Sequence, residues 1–384
     1  MNVIFFMIIK FKITPEAVNS YLDELNLLFR IQNSLPGLQR DFEKIKYRLC
    51  QEEIKSLFTI DEVLQLIDQK KKLLIAGDEE LIKKLPEGDW IAGTIPYFIG
   101  ENGGVTTKDF LFVNILPDYI QEIRIQEYTT ENIKNIYIDS YKNGFSVIII
   151  PSASNIHFKF AIEAPNFDNF AITPLIGWIS GVLTDEISKN KSKVSFGNNP
   201  SISDDTAAVM HIKLPEEYYA DLSILNIFEP GDGDVLTFTK DGFSFENIMI
   251  NGKPESFVSY LVDNNIDIKL PLVADYSGAS INTSFQSIDL GKNIVNLYAP
   301  VFKGVQYRIA KPIDNYVQAF NSRINNVRTD NIAFSCNCIL NYQYGELEGK
   351  KTEGITCPIT FGEIAYQLLN QTFAYLSISK HSNK

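Results

Sequence analysis

Side chains that can hydrogen-bond or titrate are concentrated near the end of this 384-residue sequence. They lie where apolar runs begin or end, and at strand ends the backbone can aim a side chain at a ligand. The sequence therefore predicts a group of ligand-binding residues in this region. Its members are Ser335, Cys336, Asn337, Glu363, Asn370 and Gln371.

Glu363 follows Gly362 at the start of an apolar run. A carboxylate there could pair with the ammonium group of an amino acid or amine, since a partly desolvated charge pair is strong and orientation-specific. It could also be a solvated turn acid, or accept hydrogen bonds from nearby backbone amides. Asn370 and Gln371 can donate and accept, which suits recognition of a carboxylate or an amide. They could equally satisfy backbone groups at the start of a strand.

The four cysteines are Cys50, Cys336, Cys338 and Cys357. The C-x-C pair on a strand points both thiols to the same face, whereas a zinc site usually needs a second pair with wider spacing. Buried thiols in a reducing compartment are the simplest interpretation. Contact with a ligand, and metal or redox chemistry, are the alternatives. We predict no metal and no cofactor.

A catalytic cysteine would need a base, and the sequence offers His157, His211 and His381. His381 lies in the terminal tail, and His157 and His211 are typical of ordinary residues within secondary-structure elements. No G-x-S-x-G, Walker, G-x-G-x-x-G or H-E-x-x-H motif occurs. The sequence thus predicts no catalytic residue and favours a binding protein over an enzyme.

Lys and Arg number 35 against 47 Asp and Glu, which gives a formal charge of −12. An acidic surface repels phosphate backbones and anionic lipid, so we predict neither a nucleic-acid partner nor a membrane partner. The first nine residues, MNVIFFMII, are apolar but shorter than the roughly 20 residues that cross a bilayer. No positive charge precedes them, which is untypical of a signal peptide. We expect a cytoplasmic protein.

Local patterns predict short helices and many strands. Thr59-Ile-Asp-Glu62 is a capping box that should open a helix through about Gln69, and Asn251-Gly252 should form a two-residue turn. Further helices are predicted over Thr129–Tyr141, Ser256–Leu261 and Pro312–Val327. Predicted strands include Leu73–Ala76, Trp90–Phe98, Phe110–Leu116, Phe145–Ile150, Leu175–Leu183, Ala207–Lys213 and Ile332–Cys336.

This order of elements predicts an α/β (α+β) fold, with a two-lobed layered architecture and mixed sheets. Lys189–Asp205 is polar and rich in Ser, Asn and Gly, and is the predicted linker. The predicted domains are a helical extension over 1–56, with helices around Pro15–Phe29 and Gly37–Leu49, an α/β domain over 57–200 and an α+β domain over 201–384. We expect the two larger domains to share one interface, and the extension to be dispensable for their fold.

Four segments of the second half carry distinct motifs: a strand, Asn-Gly turn and helix; a Ser-Cys strand end; a Gly-Glu turn; and an Asn-Gln-Thr run. They are Asn247–Leu261, Ser335–Asn337, Phe361–Ile364 and Asn370–Thr372. In this order they resemble the C-terminal half of the FIST (F-box and intracellular signal transduction) domain. In the first half, Trp90–Phe98 and Pro174–Gly181 are similar to strands of its N-terminal half.

The resemblance implies a module of bacterial signal transduction that senses a small molecule, possibly an amino acid, and acts through a separate partner protein. It also implies that neighbouring strands of one sheet bring the candidate residues into one pocket, with Gly93 and Thr94 completing its wall between the domains. The alternatives are an enzyme with a centre at Cys336 and Glu363, and a scaffold with a vestigial pocket.

Three positions depart from the family pattern. Leu369 stands where the family usually has histidine, Asn337-Cys338 replaces a commoner Gly-Arg, and Pro96-Tyr97 replaces a Gly-Glu. These departures leave the identity of the ligand open.

Overall fold

Short helices and many strands alternate along the chain. The computed structural model describes residues 55–381, except 277, 326–330 and 353–354. The predicted helices around Pro15–Phe29 and Gly37–Leu49 lie outside the described residues. From Ser56 onward the chain forms one compact unit. Within the described ranges, no helix is long and apolar enough to cross a membrane.

The described α-helices are α1 (Ile60–Asp68), α2 (Glu79–Ile82), α3 (Asn155–Glu163), α4 (Phe257–Asp263), α5 (Tyr316–Ile324) and α6 (Ile339–Tyr344). Single 3-10 turns cover Ile133–Asn135, Ala164–Asn166 and Thr184–Glu186.

The strands up to residue 225 are β1 (Leu57–Phe58), β2 (Leu73–Gly77), β3 (Trp90–Thr94), β4 (Tyr97–Gly100), β5 (Gly103–Thr106), β6 (Leu111–Ile115), β7 (Glu122–Tyr128), β8 (Gly144–Pro151), β9 (Leu175–Ser180), β10 (Val194–Phe196), β11 (Ile202–Ser203), β12 (Ala207–Lys213) and β13 (Tyr218–Leu225). The later strands are β14 (Leu236–Thr237), β15 (Gly242–Phe245), β16 (Asn247–Ile250), β17 (Lys253–Ser256), β18 (Leu272–Tyr276), β19 (Ala279–Thr283), β20 (Phe285–Asp289), β21 (Ile294–Val301), β22 (Tyr307–Ile309), β23 (Ile332–Cys338), β24 (Cys357–Thr360), β25 (Glu363–Ala365), β26 (Gln367–Leu369) and β27 (Phe373–Lys380).

The strands form mixed sheets, so the α+β fold class is confirmed. The first sheet has the order β1-β6-β2-β3-β10-β11, the second β26-β25-β9-β8-β12-β7 and the third β13-β27-β23-β24-β4-β5. A fourth sheet has the order β17-β16-β14-β22-β18-β19, and a small fifth one β15-β21-β20. Parallel pairs occur within the first three sheets, at β2–β3, β8–β9 and β23–β24.

The second and third sheets each combine strands from both sides of residue 200, because β25 pairs with β9 and β24 pairs with β4. The expected interface between the two larger halves is thus built from backbone pairing. The predicted domain boundaries at 57 and 200 stay predictions. The face of the second sheet that carries Trp178 packs on the third sheet, where the Trp178 ring stacks on Phe334 with centroids 5.2 Å apart.

The capping box and the Asn-Gly turn are confirmed. Thr59 N donates to Glu62 Oε2 at 2.9 Å, and the Thr59 hydroxyl accepts from Glu62 N at 3.5 Å, at the start of α1. Asn251 and Gly252 have φ of 48° and 81°, which a two-residue hairpin turn with both central residues left-handed requires. The turn joins β16 to β17.

The predicted strand Trp90–Phe98 is instead two strands in different sheets. β3 ends at Thr94, and β4 begins after Pro96. Because proline has no N–H to donate, it ends the ladder and lets the chain cross from the first sheet to the third. A continuous apolar pattern does not reveal such a crossing.

Two other predictions are wrong. Thr129–Tyr141 contains a single 3-10 turn at Ile133–Asn135 in place of a helix. The predicted linker Lys189–Asp205 contains β10, which pairs with β3 and buries Val194 and Phe196, so this part is built into the first sheet. Most of the polar residues of this segment lie in the loops on either side of β10.

Candidate functional site

A cleft of about 180 Å³ lies beyond the carboxyl ends of the parallel strands β2 and β3. Gly77 ends β2, Thr94 ends β3, and both line the cleft together with Gly181, which follows β9. Ligands commonly bind beyond the carboxyl ends of parallel strands. A volume of this size corresponds to about six water molecules, which suits a small metabolite.

Charged side chains of both signs line the cleft. Lys108 Nζ lies 2.9 Å from a Glu186 carboxylate oxygen and 3.8 Å from Asp78 Oδ2. The hydrogen bond to Glu186 is the main reason why the pKa of Lys108 is raised. Glu80 and Lys191 also line the cleft. Its lining can therefore offer a ligand both cations and carboxylates.

Thr94 belongs to this cleft, and Gly93 lies behind it. The Thr94 hydroxyl accepts from Lys193 N at 2.8 Å, and its carbonyl accepts from Gly181 N at 2.7 Å. A Cβ added at Gly93 would lie 2.5 Å from Ile149 Cγ2. Glycine is therefore needed for the close packing of β3 on β8.

Glu363 is enclosed on the inner face of the second sheet. It is 0% exposed and is the cross-strand partner of Trp178 in β9, so both side chains share one face. Thr372 Oγ1 donates to Glu363 Oε2 at 3.4 Å, whereas Oε1 has no hydrogen-bond partner within the described residues. Burial raises the pKa of this carboxyl well above its usual range, and its own backbone N–H, Cys338 and Thr372 offset only part of this effect. The solvated turn acid is thus wrong.

Cys336 and Cys338 are buried in the same hydrophobic cluster. The Cys336 thiol donates to Gly177 O at 3.3 Å. Burial raises the pKa of both thiols well above the usual range, and the nearby Glu363 carboxyl raises it further. Since the thiolate is the nucleophile, these thiols are unreactive core groups at neutral pH.

Asn337 and Asn341 link the end of β23 to α6. Asn341 Nδ2 donates to Asn337 Oδ1 at 2.9 Å and to Thr372 O at 3.3 Å. Asn337 Oδ1 also accepts from Cys338 N at 2.8 Å. Both asparagines are buried. They fix the strand end, the first turn of α6 and the start of β27 against one another.

The remaining predicted residues are buried and differ in their contacts. Ser335 Oγ donates to Thr356 O at 3.4 Å. Gln371 has a φ of 48°, its Oε1 accepts from Ser284 Oγ at 2.7 Å, and its Nε2 donates to a backbone carbonyl at 3.1 Å. These contacts hold Gln371 in a structural role. Asn370 Oδ1, in contrast, has no hydrogen-bond partner within the described part of the chain.

The residues around Glu363 meet between two sheets. Cys336 lies in β23 of the third sheet, Glu363 in β25 of the second, and Asn370 follows β26. The expectation that neighbouring strands of one sheet carry them is wrong, because the faces of two sheets pack together here. All eight candidate residues are buried, and Thr94 is the one among them that lines the cleft. Their role as one ligand site stays a prediction.

Strand β9 runs from the cleft to the surroundings of Glu363. Gly181 lines the cleft. Trp178 and Ser180 are two residues apart in the strand and so lie on one face, which is the face that Glu363 shares as the cross-strand partner of Trp178. Ser180 Oγ and Trp178 Nε1 also have no hydrogen-bond partners within the described residues. A row of polar atoms therefore lies behind the cleft.

Sequence reasoning missed Lys108, Asn341 and Thr372. Asn337 ends a strand and Asn341 lies in the helix that follows it, so no single period of the sequence relates the two residues. Thr372 lies in the Asn-Gln-Thr run that resembles a FIST motif, but it is not among the predicted site residues. Nothing in the local sequence of Lys108 indicates a cleft.

The described hydrogen bonds of His211 go to a serine and a tyrosine. His211 Nδ1 is 2.7 Å from Ser146 Oγ, and its Nε2 is 2.9 Å from Tyr128 OH, which donates to Asp139 at 2.8 Å. Burial lowers the pKa of both His211 and His157 to about 4. In the ranges that the structure describes, no three His, Cys, Asp or Glu side chains are arranged to hold a metal ion.

Fold and site together define an α+β protein with a charged cleft and a group of buried polar side chains behind it. The chain belongs to a family of unknown function, DUF6976, whose model matches residues 58–379. No curated protein matches the chain. The family match does not bear on the resemblance to the FIST domain, which stays a prediction.

Proposed function

We propose that this protein binds a small polar molecule that carries both charges, such as an amino acid, in the cleft beyond β2 and β3. The observation behind the proposal is the cleft lining: Lys108 and Lys191 offer cations, and Asp78 and Glu80 offer carboxylates, around a volume of about 180 Å³. A zwitterion presents one charge of each sign, so it can pair with both kinds of group.

The ion pairs of the cleft can be exchanged for ligand contacts at low cost. The Lys108 side chain is 42% exposed and that of Glu186 31%, while Lys191 pairs with Asp204 at 2.8 Å and is 76% exposed. Exposed pairs contribute about 0–1 kcal/mol. A ligand carboxylate can therefore replace Glu186 beside Lys108 and form the same kind of charge-assisted hydrogen bond.

The proposed role is that of a cytoplasmic sensory module in bacterial signal transduction, whose ligand-bound state is recognised by a separate protein. The resemblance of the Gly362-Glu363 turn and of Asn370–Thr372 to FIST motifs supports this role. We propose a binding protein that catalyses no reaction and has neither a nucleic-acid nor a membrane partner.

Thermal unfolding of the full chain in the presence of single amino acids, amines and carboxylic acids tests the binding function. A ligand at 100 times its dissociation constant should stabilise the native state by about 2.7 kcal/mol. Lys108→Ala should remove most of this stabilisation, because the ligand carboxylate loses its partner. Turnover of the same ligands should be absent.

Lys350→Ala is the matched control, since Lys350 is 46% exposed and lies outside the cleft lining. It should leave the stabilisation by ligand unchanged. The proposal fails if no zwitterion stabilises the wild type, or if Lys108→Ala and Lys350→Ala respond equally.

A further inference from the structure

One edge of the third sheet is open along a long strand. Strand β13 is the first strand in the order of this sheet, and it pairs with β27 from Tyr218 to Leu225 without a bulge. Alternate residues of an antiparallel strand direct their N–H and C=O groups to the same side, so about half of those in β13 point away from β27. From Tyr219 to Ile224, these outward groups have no backbone hydrogen-bond partner within the described residues. Such an edge is a template for pairing with another strand.

The core-facing side of β13 is incompletely covered. Every second side chain of the strand packs against the main hydrophobic cluster and yet stays partly exposed. These side chains are Tyr218, Ala220, Leu222 and Ile224. A strand added beside β13 would cover them and would satisfy the open backbone groups at the same time.

Other edge strands carry protection that β13 lacks. Strand β17 contains Pro254, which cannot donate to a ladder. The side-chain amide of Asn198 donates to Ile125 O of β7 at 3.3 Å, and that of Asn226 donates to Ser280 O of β19 at 3.1 Å. Strands β1, β11 and β26 have two or three residues each. Strand β13 has eight residues with no Pro, Lys or Arg among them, so the usual barriers to edge pairing are missing.

We propose that β13 pairs with the β13 strand of a second copy of this chain. The two strands run antiparallel about a two-fold axis at Leu222, and the third sheet continues from one copy into the other. A two-fold interface uses the same surface on both copies, so a single contact covers both open edges and closes the assembly as a dimer. No residue of β13 lines the cleft, and this interface does not rest on the proposed function.

The sequence of β13 is complementary to itself in this register. Leu222 lies opposite its symmetry equivalent and Ala220 lies opposite Ile224, so apolar side chains meet on the core-facing side. On the other side, Asp221 lies opposite Ser223. Nearly the whole strand takes part, and no like charges meet.

Charge and length select this register over its neighbours. With the axis at Asp221 the strands would overlap as far, but the two Asp221 carboxylates would lie directly opposite each other, and like charges in this position destabilise a sheet. Asp221 is exposed and is the one charged residue of β13. With the axis at Ala220 or Ser223, fewer residues of the strand would pair. Self-pairing therefore has one favoured centre, at Leu222.

Sedimentation velocity of the full chain between about 1 and 100 μM should show a dimer, and the dilution series gives its dissociation constant. Ser223→Asp places a carboxylate opposite Asp221 in both halves of the interface, so it should raise that constant about 2- to 30-fold. The double variant Asp221→Ser/Ser223→Asp again sets a carboxylate opposite a hydroxyl and should return to the wild-type value.

Ser259→Asp is the control, because it adds the same charge at an exposed position of α4. It should leave the dissociation constant unchanged. A monomer at every concentration would overturn the proposal, and the edge would then belong to another partner. Equal effects of Ser223→Asp and Ser259→Asp would overturn it as well.

Disulfide cross-linking tests the register directly. Residues opposite each other in antiparallel strands have Cα atoms about 4.5–5.5 Å apart, within the roughly 4.4–6.8 Å that a disulfide spans. Leu222→Cys should therefore form a covalent dimer when oxidised with copper phenanthroline, whereas Tyr219→Cys, which lies opposite Leu225, should not. The wild type gives the background from the native cysteines. Equal cross-linking of the two variants, or none at position 222, would refute the pairing about Leu222.

Discussion

Replacing the buried carboxyl with its neutral isostere should change how the stability of the protein depends on pH. In the folded state Glu363 keeps its proton, because burial raises its pKa well above the usual range. The unfolded chain gives up that proton above about pH 4.3. Wild-type stability therefore falls as the pH rises from there towards the folded pKa. Glu363→Gln has no such proton to lose.

The magnitude follows from the linkage between protonation and folding. Each pH unit between the unfolded and the folded pKa contributes about 1.4 kcal/mol. From pH 5 to pH 7 the stability of Glu363→Gln relative to wild type should thus rise by at most about 2.7 kcal/mol, the value reached when the folded carboxyl keeps its proton over the whole range. The hydrogen bond from Thr372 persists in the variant, since the amide oxygen of Gln also accepts. The slope with pH is therefore the quantity to measure, rather than the value at one pH.

Urea unfolding at pH 5, 6 and 7 at constant ionic strength gives this slope. The titration of other groups is common to both proteins and cancels in the difference. Glu229→Gln, at an exposed carboxylate paired with Arg323, should show a nearly constant difference from wild type. A constant difference for Glu363→Gln as well would mean that the folded carboxyl titrates normally, and the account of its burial would then be wrong.

Other expectations concern a histidine, a glycine and a cysteine. Burial lowers the pKa of His211 to about 4. As the pH is lowered from about 6.5 to 4, the unfolded chain takes up a proton at this residue and the folded protein does not, so the free energy of unfolding should fall. His211→Gln should reduce the pH slope of the free energy of unfolding over that range by up to about 1.4 kcal/mol per pH unit, and an unchanged slope would contradict this. Gly93→Ala places a methyl 2.5 Å from Ile149 Cγ2 and should cost about 1–3 kcal/mol in urea unfolding. Gly233→Ala, with no atom within 4 Å, is the control, and equal losses would argue against tight packing. Cys336 should resist iodoacetamide until the protein unfolds, as mass spectrometry can show; rapid native labelling would refute its burial.

Elements with a local chemical cause could be predicted from the sequence. The capping box at Thr59 and the Asn251-Gly252 turn are fixed by hydrogen bonds or dihedral angles within a few residues. Helix α4 and strand β23 also follow from the periodicity of their apolar residues, which predicts a helix over Ser256–Leu261 and a strand over Ile332–Cys336. Such features do not depend on what packs against them.

The candidate site depends on contacts that local sequence does not encode. Glu363 becomes a buried acid because β25 pairs with β9 and the third sheet covers its face. The same Gly-Glu turn at a sheet edge would be solvated. Asn341 and Lys108 acquire their roles through partners far along the chain, such as Thr372 and Glu186. Residue types indicated this chemistry, but only tertiary structure determines whether the groups face water.

The shared sheets also constrain the order in which the protein can fold. Ile99 pairs with Cys357 and Trp178 with Glu363. Strands β4 and β9 are therefore synthesised long before the strands that pair with them. Pairings of such high sequence separation slow folding and leave apolar strand edges open in the meantime. A fragment that stops at residue 200 would keep β4 and β9 without these neighbours, and exposed edges of this kind favour aggregation. We therefore expect the growing chain to be most prone to aggregation before β24 and β25 have left the ribosome.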